Sequence, residues 1–271
     1  MSPDLLNNTS IEREKLLSDV VDYFSADQAV IGMFLGGSMP AGTADKFSDI
    51  DLRVIVTPEE HDRFVANRID MPKQWNGFLF NEWMEGAQHC VSHFRQFFKV
   101  DIFYLDQNNF RPSPWYSLST AILYDPKGIV HEVIESSPQF RFKVSDKEVD
   151  WLVSKGLAAA HEVFRRARRG ELLYAQTLLE EFRSYVIKAD DWLHQRVPAD
   201  VSQLKLERRL TPKFLQILKL SYVPLEARDI EAAMLILLAH YHQQVIELHS
   251  TFELSRALEN DLYAINILLE V

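Results

Sequence analysis

Cysteine is nearly absent from this sequence, since Cys90 is the only one among 271 residues. A single cysteine excludes an intramolecular disulfide and fits a reducing compartment, so a cytoplasmic location is expected. Long apolar runs are missing as well, and no stretch reaches the ~20 residues that a membrane-spanning helix needs. The opening segment, MSPDLLNNTSIEREK, has acidic and polar side chains without an apolar core, so no signal peptide is expected.

Basic side chains are also fewer than acidic ones: the chain has 29 lysines and arginines and 39 aspartates and glutamates, and its net charge is −10. Nucleic acid is therefore disfavoured as a partner, because its phosphate backbone requires a basic surface. The acidic excess suits either solubility alone or the attraction of a cationic partner. The composition, 47% hydrophobic and 25% charged, is typical of a chain that buries a core.

The two halves of the chain differ in the spacing of their apolar residues. The first half alternates short apolar runs, such as QAVIGMFL and DIDLRVIV, with helix-like stretches, which predicts a mixed sheet of four or five strands flanked by helices. The second half contains long amphipathic stretches, such as SDKEVDWLVSKGLAAAHEVFRRARRG, which predict an all-α helical bundle. We therefore expect an α+β fold, with one domain over residues 1–140 and a helical domain over residues 141–271.

A glycine turn followed by paired acids is the most informative stretch of the first half. Gly36, Gly37 and Ser38 end one predicted strand, and about ten residues later Asp49 and Asp51 begin the next. Residues two apart in a strand share a face, with α-carbons roughly 6.5–7 Å apart, so the two carboxylates can converge on one or two hard cations. The turn offers backbone N–H groups to a phosphate. Together these features suit phosphoryl or nucleotidyl transfer.

A third acid, Asp101, interrupts the apolar strand FKVDIFYL. A buried carboxylate without a partner is costly, so Asp101 requires either a metal ion or a cationic side chain. If it lies beside Asp49 and Asp51, the mutual repulsion of the three carboxylates favours a divalent cation. The alternative is a structural ion pair, for which Arg53 is the candidate because it shares the face of Asp49 and Asp51.

These residues resemble the signature of the DNA polymerase β-like nucleotidyltransferase superfamily: Gly-Ser after a strand, Asp-apolar-Asp on the next strand, and a further acid on a later one. The resemblance covers roughly residues 10–135, and AILYDPKG is similar to a segment of the antibiotic nucleotidyltransferases. A nucleotidyltransferase domain followed by a helical bundle is similar in architecture to the aminoglycoside and lincosamide nucleotidyltransferases.

The resemblance implies Mg²⁺-dependent transfer of a nucleoside monophosphate, as in an adenylyltransferase acting with ATP, to a hydroxyl group with release of pyrophosphate. Asp49, Asp51 and Asp101 would hold two Mg²⁺ ions, and Gly37 with Ser38 would bind the triphosphate. Either Asp101 or Glu82, in FNEWME, would serve as the base. The implied acceptor is a small hydroxylated molecule, such as an aminoglycoside-like antibiotic, in keeping with antibiotic resistance. The alternatives are protein adenylyl transfer and a catalytically silent nucleotide sensor.

One helix of the second half places polar and aromatic residues on a single face. Glu181, Tyr185, Lys188 and Trp192 follow one another at spacings of four, three and four, which aligns them on a helix. Lys188 is a candidate to bind phosphate and Glu181 to bind the acceptor, although such a face is more often half-buried packing with a solvated edge. The apolar run AAMLILLAHY is compatible with internal burial or with a homodimer.

Overall fold

The computed structural model of the protein describes residues 9–83, 85–196 and 205–270. The first eight residues of the segment for which no signal peptide is expected lie outside these ranges. The described residues form two compact units, the first ending at Arg141 and the second beginning at Phe142. In the described ranges, no helix is both long and apolar enough to cross a bilayer.

The first unit is built on a mixed six-stranded sheet with the strand order β3-β4-β5-β2-β1-β6. Strands β2 and β5 are parallel, and the other neighbouring strands are antiparallel. This confirms the predicted α+β class, although the prediction of four or five strands was low. The elements in chain order are α1 (Thr9–Ser25), β1 (Val30–Gly36), β2 (Ile50–Val56), α2 (His61–Asn67), β3 (Phe78–Glu82), β4 (His89–Phe94), β5 (Lys99–Asp106), β6 (Ala121–Tyr124) and α3 (Ile129–Ser136).

A tight turn divides one apolar stretch of the sequence into two strands. The run HCVSHFRQFFKVDIFYL contains both β4 and β5, which form a hairpin around residues 95–98. Phe97 in this turn has a φ of 64°, a left-handed conformation that a residue other than glycine rarely adopts. The turn carries no glycine or proline, so no local turn signal marks the point at which the run folds back.

The core of the first unit determines which residues of β2 and β5 lie on the other face of the sheet. Alternate residues of β2 and β5 are fully or almost fully buried against α1 and α2: Ile50, Leu52, Val54, Val56, Val100, Ile102 and Tyr104. A smaller cluster on the opposite face packs α3 over β1, with Phe34 and Val130 at its centre. The residues between the buried positions of β2 and β5, Asp51, Arg53, Asp101 and Phe103, consequently share the second face.

The second unit consists of helices in its described ranges, as predicted for a helical bundle. They are α4 (Asp146–Arg168), α5 (Leu172–Leu193), α6 (Leu206–Arg209), α7 (Pro212–Leu220), α8 (Ala227–Thr251) and α9 (Leu258–Leu269). A capping box formed by Ser145 and Glu148 begins α4. Helices α4 and α8 approach closely at Gly156, where an added Cβ would lie 2.4 Å from the hydroxyl of Tyr241.

A fully buried arginine ties α5 to the end of α7. Arg183 donates from Nε to Ser221 Oγ at 2.8 Å, from Nη2 to the Ser221 carbonyl and from Nη1 to Glu180 at 2.6 Å. Its guanidinium also stacks over the ring of Tyr222, 4.1 Å from the centroid. Since a buried charge is tolerated only when its donors are satisfied, this network fixes the position of α7.

We expect Arg183→Met to lower the free energy of unfolding by at least about 2 kcal/mol, because it removes two buried hydrogen bonds to Ser221 and leaves their acceptors without donors. Urea denaturation followed by circular dichroism measures the change. Arg228→Met, at an exposed position of α8, is the matched control and is expected to stay within about 0.5 kcal/mol of the wild type. Equal stability of the two variants would contradict a structural role for the Arg183 network.

Candidate functional site

The strand register brings two of the predicted acids side by side. In the parallel pair β2–β5, Asp51 lies directly opposite Asp101. On the other side of β2, Gly36 lies opposite Asp51. Paired residues of neighbouring strands are about 4.8 Å apart and project from the same face. Asp51, Asp101 and the end of β1 are therefore adjacent on one face of the sheet.

Glu82 belongs to the same row of paired residues across the sheet as Asp51 and Asp101. Asp101 is opposite Val91 of β4, and Val91 is opposite Glu82 of β3. Glu82 therefore lies on the face of Asp101, two strands away, which corresponds to roughly 10 Å between α-carbons. Its side chain is 71% exposed, and its carboxylate lies 3.2 Å from His93 Nε2.

The glycine turn packs directly against Asp51. Gly37 has a φ of 78°, and a Cβ built there would lie 2.1 Å from Asp51 Oδ2. Glycine is therefore required at position 37 both by the backbone conformation and by the space that Asp51 leaves. Ser38 follows in a turn that is closed by a hydrogen bond from Thr43 N to the Ser38 carbonyl, at 3.1 Å.

A buried arginine of α1 fixes the segment that leads to Asp49. Arg13 is 4% exposed and donates from Nη1 to the carbonyls of Asp45 and Ser48, at 2.6 and 3.1 Å. These bonds hold the chain immediately before Asp49, which precedes β2. The sequence reasoning did not identify Arg13, because its partners are backbone carbonyls more than thirty residues away.

Lys99 is the cation that pairs with two of these carboxylates. Asp101 thus takes part in an ion pair, as in the alternative to a metal site, but Arg53 was the wrong candidate for its partner. Lys99 Nζ is 2.8 Å from Asp101 Oδ2 and 3.3 Å from Asp49 Oδ2. Arg53 instead lies over the ring of Phe103, 4.7 Å from the centroid. The spacing of Lys99 and Asp101, two residues apart in one strand, was the signal that could have revealed the pair.

The carboxylates of this row are partly desolvated. Burial, and then the charges of Asp101 and Asp49, raise the pKa of Asp51 above its usual value, although Arg53 and Lys99 act in the opposite direction. Burial likewise raises the pKa of Asp101, in spite of the hydrogen bond from Lys99. In addition, Asp101 Oδ1 is buried without a hydrogen-bond partner. The cluster therefore carries more negative charge than its neighbours neutralise.

The donor chemistry of this cluster fits a hard divalent cation. Three carboxylates supply oxygen ligands, and the partnerless Oδ1 of Asp101 is an unused acceptor. Among the described residues, no group of three or more His, Cys, Asp or Glu side chains is already arranged around a common metal position. The ammonium of Lys99 bridges two of the three carboxylates. The metal-binding role of Asp49, Asp51 and Asp101 therefore remains a prediction.

The predicted residues of the second unit lie together on α5. Lys188 and Glu181 are exposed, and Lys188 Nζ lies 5.0 Å from the ring centroid of Trp192. Tyr185 packs edge-on against Trp151, and burial followed by the charge of Glu181 raises the pKa of Tyr185. The predicted common face is thus part packing surface and part solvent-exposed. The assignment of Lys188 to phosphate and Glu181 to the acceptor stays a prediction.

Residues 13–87 match the family model described as a nucleotidyltransferase domain. The matched range contains Gly37, Ser38, Asp49 and Asp51 and ends before Asp101. The class of enzyme expected from the sequence, a nucleotidyltransferase, is thereby confirmed.

Two solved structures are similar to this chain at low identity. An aminoglycoside 6-adenyltransferase from Bacillus subtilis is 13% identical, with 96% of this chain and 97% of that chain covered and a TM-score of 0.45. A nucleotidyltransferase-like protein from Exiguobacterium sibiricum 255-15 is 13% identical, with 88% of this chain and 77% of that chain covered and a TM-score of 0.40. A search of curated proteins finds no match to this chain.

Asp51→Asn is expected to raise the thermal unfolding temperature of the protein at pH 7 in the absence of divalent cations. The pKa of Asp51 is higher in the folded protein than in the unfolded chain, so its ionised form destabilises the fold at any pH above both values. Differential scanning fluorimetry from pH 7 down to pH 4 measures the effect. The gain should shrink as the pH approaches the ordinary aspartate value of about 3.9, where both states become protonated.

Asp62→Asn serves as the control for this experiment, since its side chain is fully exposed and its removal should not raise the unfolding temperature. An Asp51→Asn variant that melts at or below the wild-type temperature at pH 7 would show that the Asp51 charge is adequately compensated in the fold.

Proposed function

We propose that this protein transfers a nucleoside monophosphate from a nucleoside triphosphate to a hydroxyl of a small molecule, in a Mg²⁺-dependent reaction that releases pyrophosphate. The observation that carries this proposal is the row in which Asp101, Asp51 and Gly36 lie on three neighbouring strands. Gly37 presses the glycine turn against the Asp51 carboxylate. A phosphate-binding turn and a carboxylate cluster in contact are what nucleotidyl transfer requires.

Each residue of the cluster has a role in this proposal. Asp49, Asp51 and Asp101 hold the divalent cations, two by analogy with the family, and a bound cation would supply charge neutralisation and polarisation at the reacting phosphate. Gly37 and Ser38 bind the triphosphate. The acceptor oxygen forms a bond to the α-phosphorus while the bond to the β-phosphate oxygen breaks. Pyrophosphate leaves with that electron pair.

Glu82 is the better candidate for the base that takes the proton of the acceptor hydroxyl. Asp101 Oδ2 already accepts a hydrogen bond from Lys99, and a carboxylate that binds cations is a weakened base. Glu82 lies on the same face of the sheet and is largely exposed, and His93 is its contact. It can therefore reach an acceptor that approaches across β4, with Asp101 as the alternative base.

The acceptor that fits this surface is a hydroxylated and cationic molecule, such as an aminoglycoside-like antibiotic. The chain has a net charge of −10, which attracts cations to acidic surfaces. Glu82 is an exposed acid that can pair with an amino group of the acceptor. A role in antibiotic resistance follows if such a drug is the physiological acceptor.

Asp49→Asn and Asp51→Asn are each expected to reduce transfer about 10³-fold or more, because they remove the carboxylates that organise the charge of the reacting phosphate. The assay combines Mg²⁺ and each labelled nucleoside triphosphate with a panel of aminoglycosides, lincosamides and cell lysate. Pyrophosphate release and label on the acceptor are measured together.

The control for this assay is Asp62→Asn, which should retain wild-type turnover, and circular dichroism should report an intact fold for all variants. Full activity of either site variant would overturn the proposed use of the carboxylates. Label that appears on a lysate protein and on none of the drugs would assign protein adenylyl transfer instead. Nucleotide binding without turnover on any acceptor would favour the sensor function.

Glu82→Gln separates the two candidate bases. If Glu82 is the base, kcat should fall about 10²- to 10⁴-fold with little change in KM for the nucleotide, and the acidic limb of the pH–rate profile should disappear. Glu85→Gln, an exposed glutamate in the following turn, is the matched control. A Glu82→Gln enzyme with wild-type kcat would assign proton abstraction to Asp101.

A further inference from the structure

Lys99 lies between two acids of the proposed metal site. Its ammonium contacts Asp101 and Asp49 at once, at 2.8 and 3.3 Å. The three side chains keep only 34%, 12% and 33% of their surface exposed, for Lys99, Asp101 and Asp49 respectively. Ion pairs between exposed side chains are usually weak. The ion pairs of Lys99 differ, because its side chain is half-buried and contacts two acids.

Lys99 is also the cation that bonds directly to the cluster. Arg53, the other nearby cation, lies over Phe103, and its Nη1 is buried without a hydrogen-bond partner. Lys99 is therefore the cation held by the acids that are proposed to bind metal.

We propose that Lys99 is an internal counter-ion that holds Asp49 and Asp101 in place before the nucleotide binds and that keeps the affinity of the empty site for divalent cations low. This inference rests on the proposed function, because it assumes that Asp49 and Asp101 are metal ligands. Lys99 is thus a positioning residue that acts through the two carboxylates.

The chemistry of lysine suits this role. A compact ammonium on a flexible four-carbon stem can leave the carboxylates without any movement of the strand, whereas a guanidinium fixed by stacking cannot. While it remains, its charge repels a divalent cation and competes for the same oxygens. Once triphosphate is present, phosphate oxygens offer the ammonium a new acceptor. Cation binding should therefore be weak without nucleotide and strongly coupled to nucleotide binding.

The test is a titration of the nucleotide-free protein with Mn²⁺, in which free Mn²⁺ is measured by electron paramagnetic resonance. Lys99→Met and Lys99→Gln are expected to bind Mn²⁺ at least about tenfold more tightly than the wild type, because the competing charge is gone. Lys99→Arg keeps the charge and should not bind more tightly. Lys73→Met, which removes an exposed charge paired with Asp70, is the control for net charge and should match the wild type.

Thermal unfolding is the second measurement, and it is informative even if the variant is less stable than the wild type. Without divalent cations, Lys99→Met should melt at a lower temperature than the wild type, since its acids lose their counter-ion. Added Mn²⁺ should then raise its unfolding temperature by more than it raises that of the wild type. A variant that is unfolded until Mn²⁺ is added would also support the proposal.

The outcomes separate this inference from the proposed function. If Lys99→Met binds Mn²⁺ no more tightly than the wild type, while Asp49→Asn and Asp101→Asn lose binding, the metal site stands and the role of Lys99 is overturned. If the aspartate variants bind Mn²⁺ as well as the wild type does, with and without nucleotide, the metal site itself is wrong and both proposals fall.

Discussion

The parallel pairing of β2 with β5 is the constraint on which the rest of the site depends. It places Asp51 opposite Asp101, and their repulsion opposes the pairing. The apolar residues between them enforce it: each fully buried Ile, Leu or Val contributes roughly 1.5–3 kcal/mol. Two carboxylates near a protein surface repel each other by a few kcal/mol at most, about 4 kcal/mol at 4 Å. A slip of one residue would bury the acids and expose the core, so the core determines the register.

Two further contacts convert this row into a candidate site, and both join segments that are distant in sequence. Gly37 closes the end of β1 against Asp51, at a position that no other residue fits without strain. Arg13 of α1 holds the chain before Asp49 through two carbonyls. The turn, the paired acids and the first helix are thereby fixed relative to one another. Such preorganisation is what electrostatic catalysis requires, because ligands must not reorganise during the reaction.

The predictable parts of the structure were those with a local signal. Alternation within DIDLRVIV placed the buried face of β2 and the opposite face of Asp51 correctly, because the period of a strand is local. The turn at Phe97 adds a strand without any glycine, and the bulge between Phe78 and Phe80 shifts the register of β3. The alignment of Glu82 with Asp101 across the sheet therefore could not be predicted from the sequence. Lys99 replaced Arg53 as the partner of Asp101 because stacking on Phe103 holds the arginine elsewhere.

A pair of aspartates in the second unit clarifies what distinguishes a functional cluster from a structural one. Asp190 and Asp191 are both buried, yet Arg196 contacts both of them and Arg209 lies 2.9 Å from Asp191. The charges of two acids and two arginines balance, so this group requires no ligand. On the sheet of the first unit, the ammonium of Lys99 contacts two of three acids, Arg53 lies over Phe103, and one buried oxygen of Asp101 has no partner. That excess of negative charge, which the register of the core holds in place, is the feature on which the proposed metal site rests.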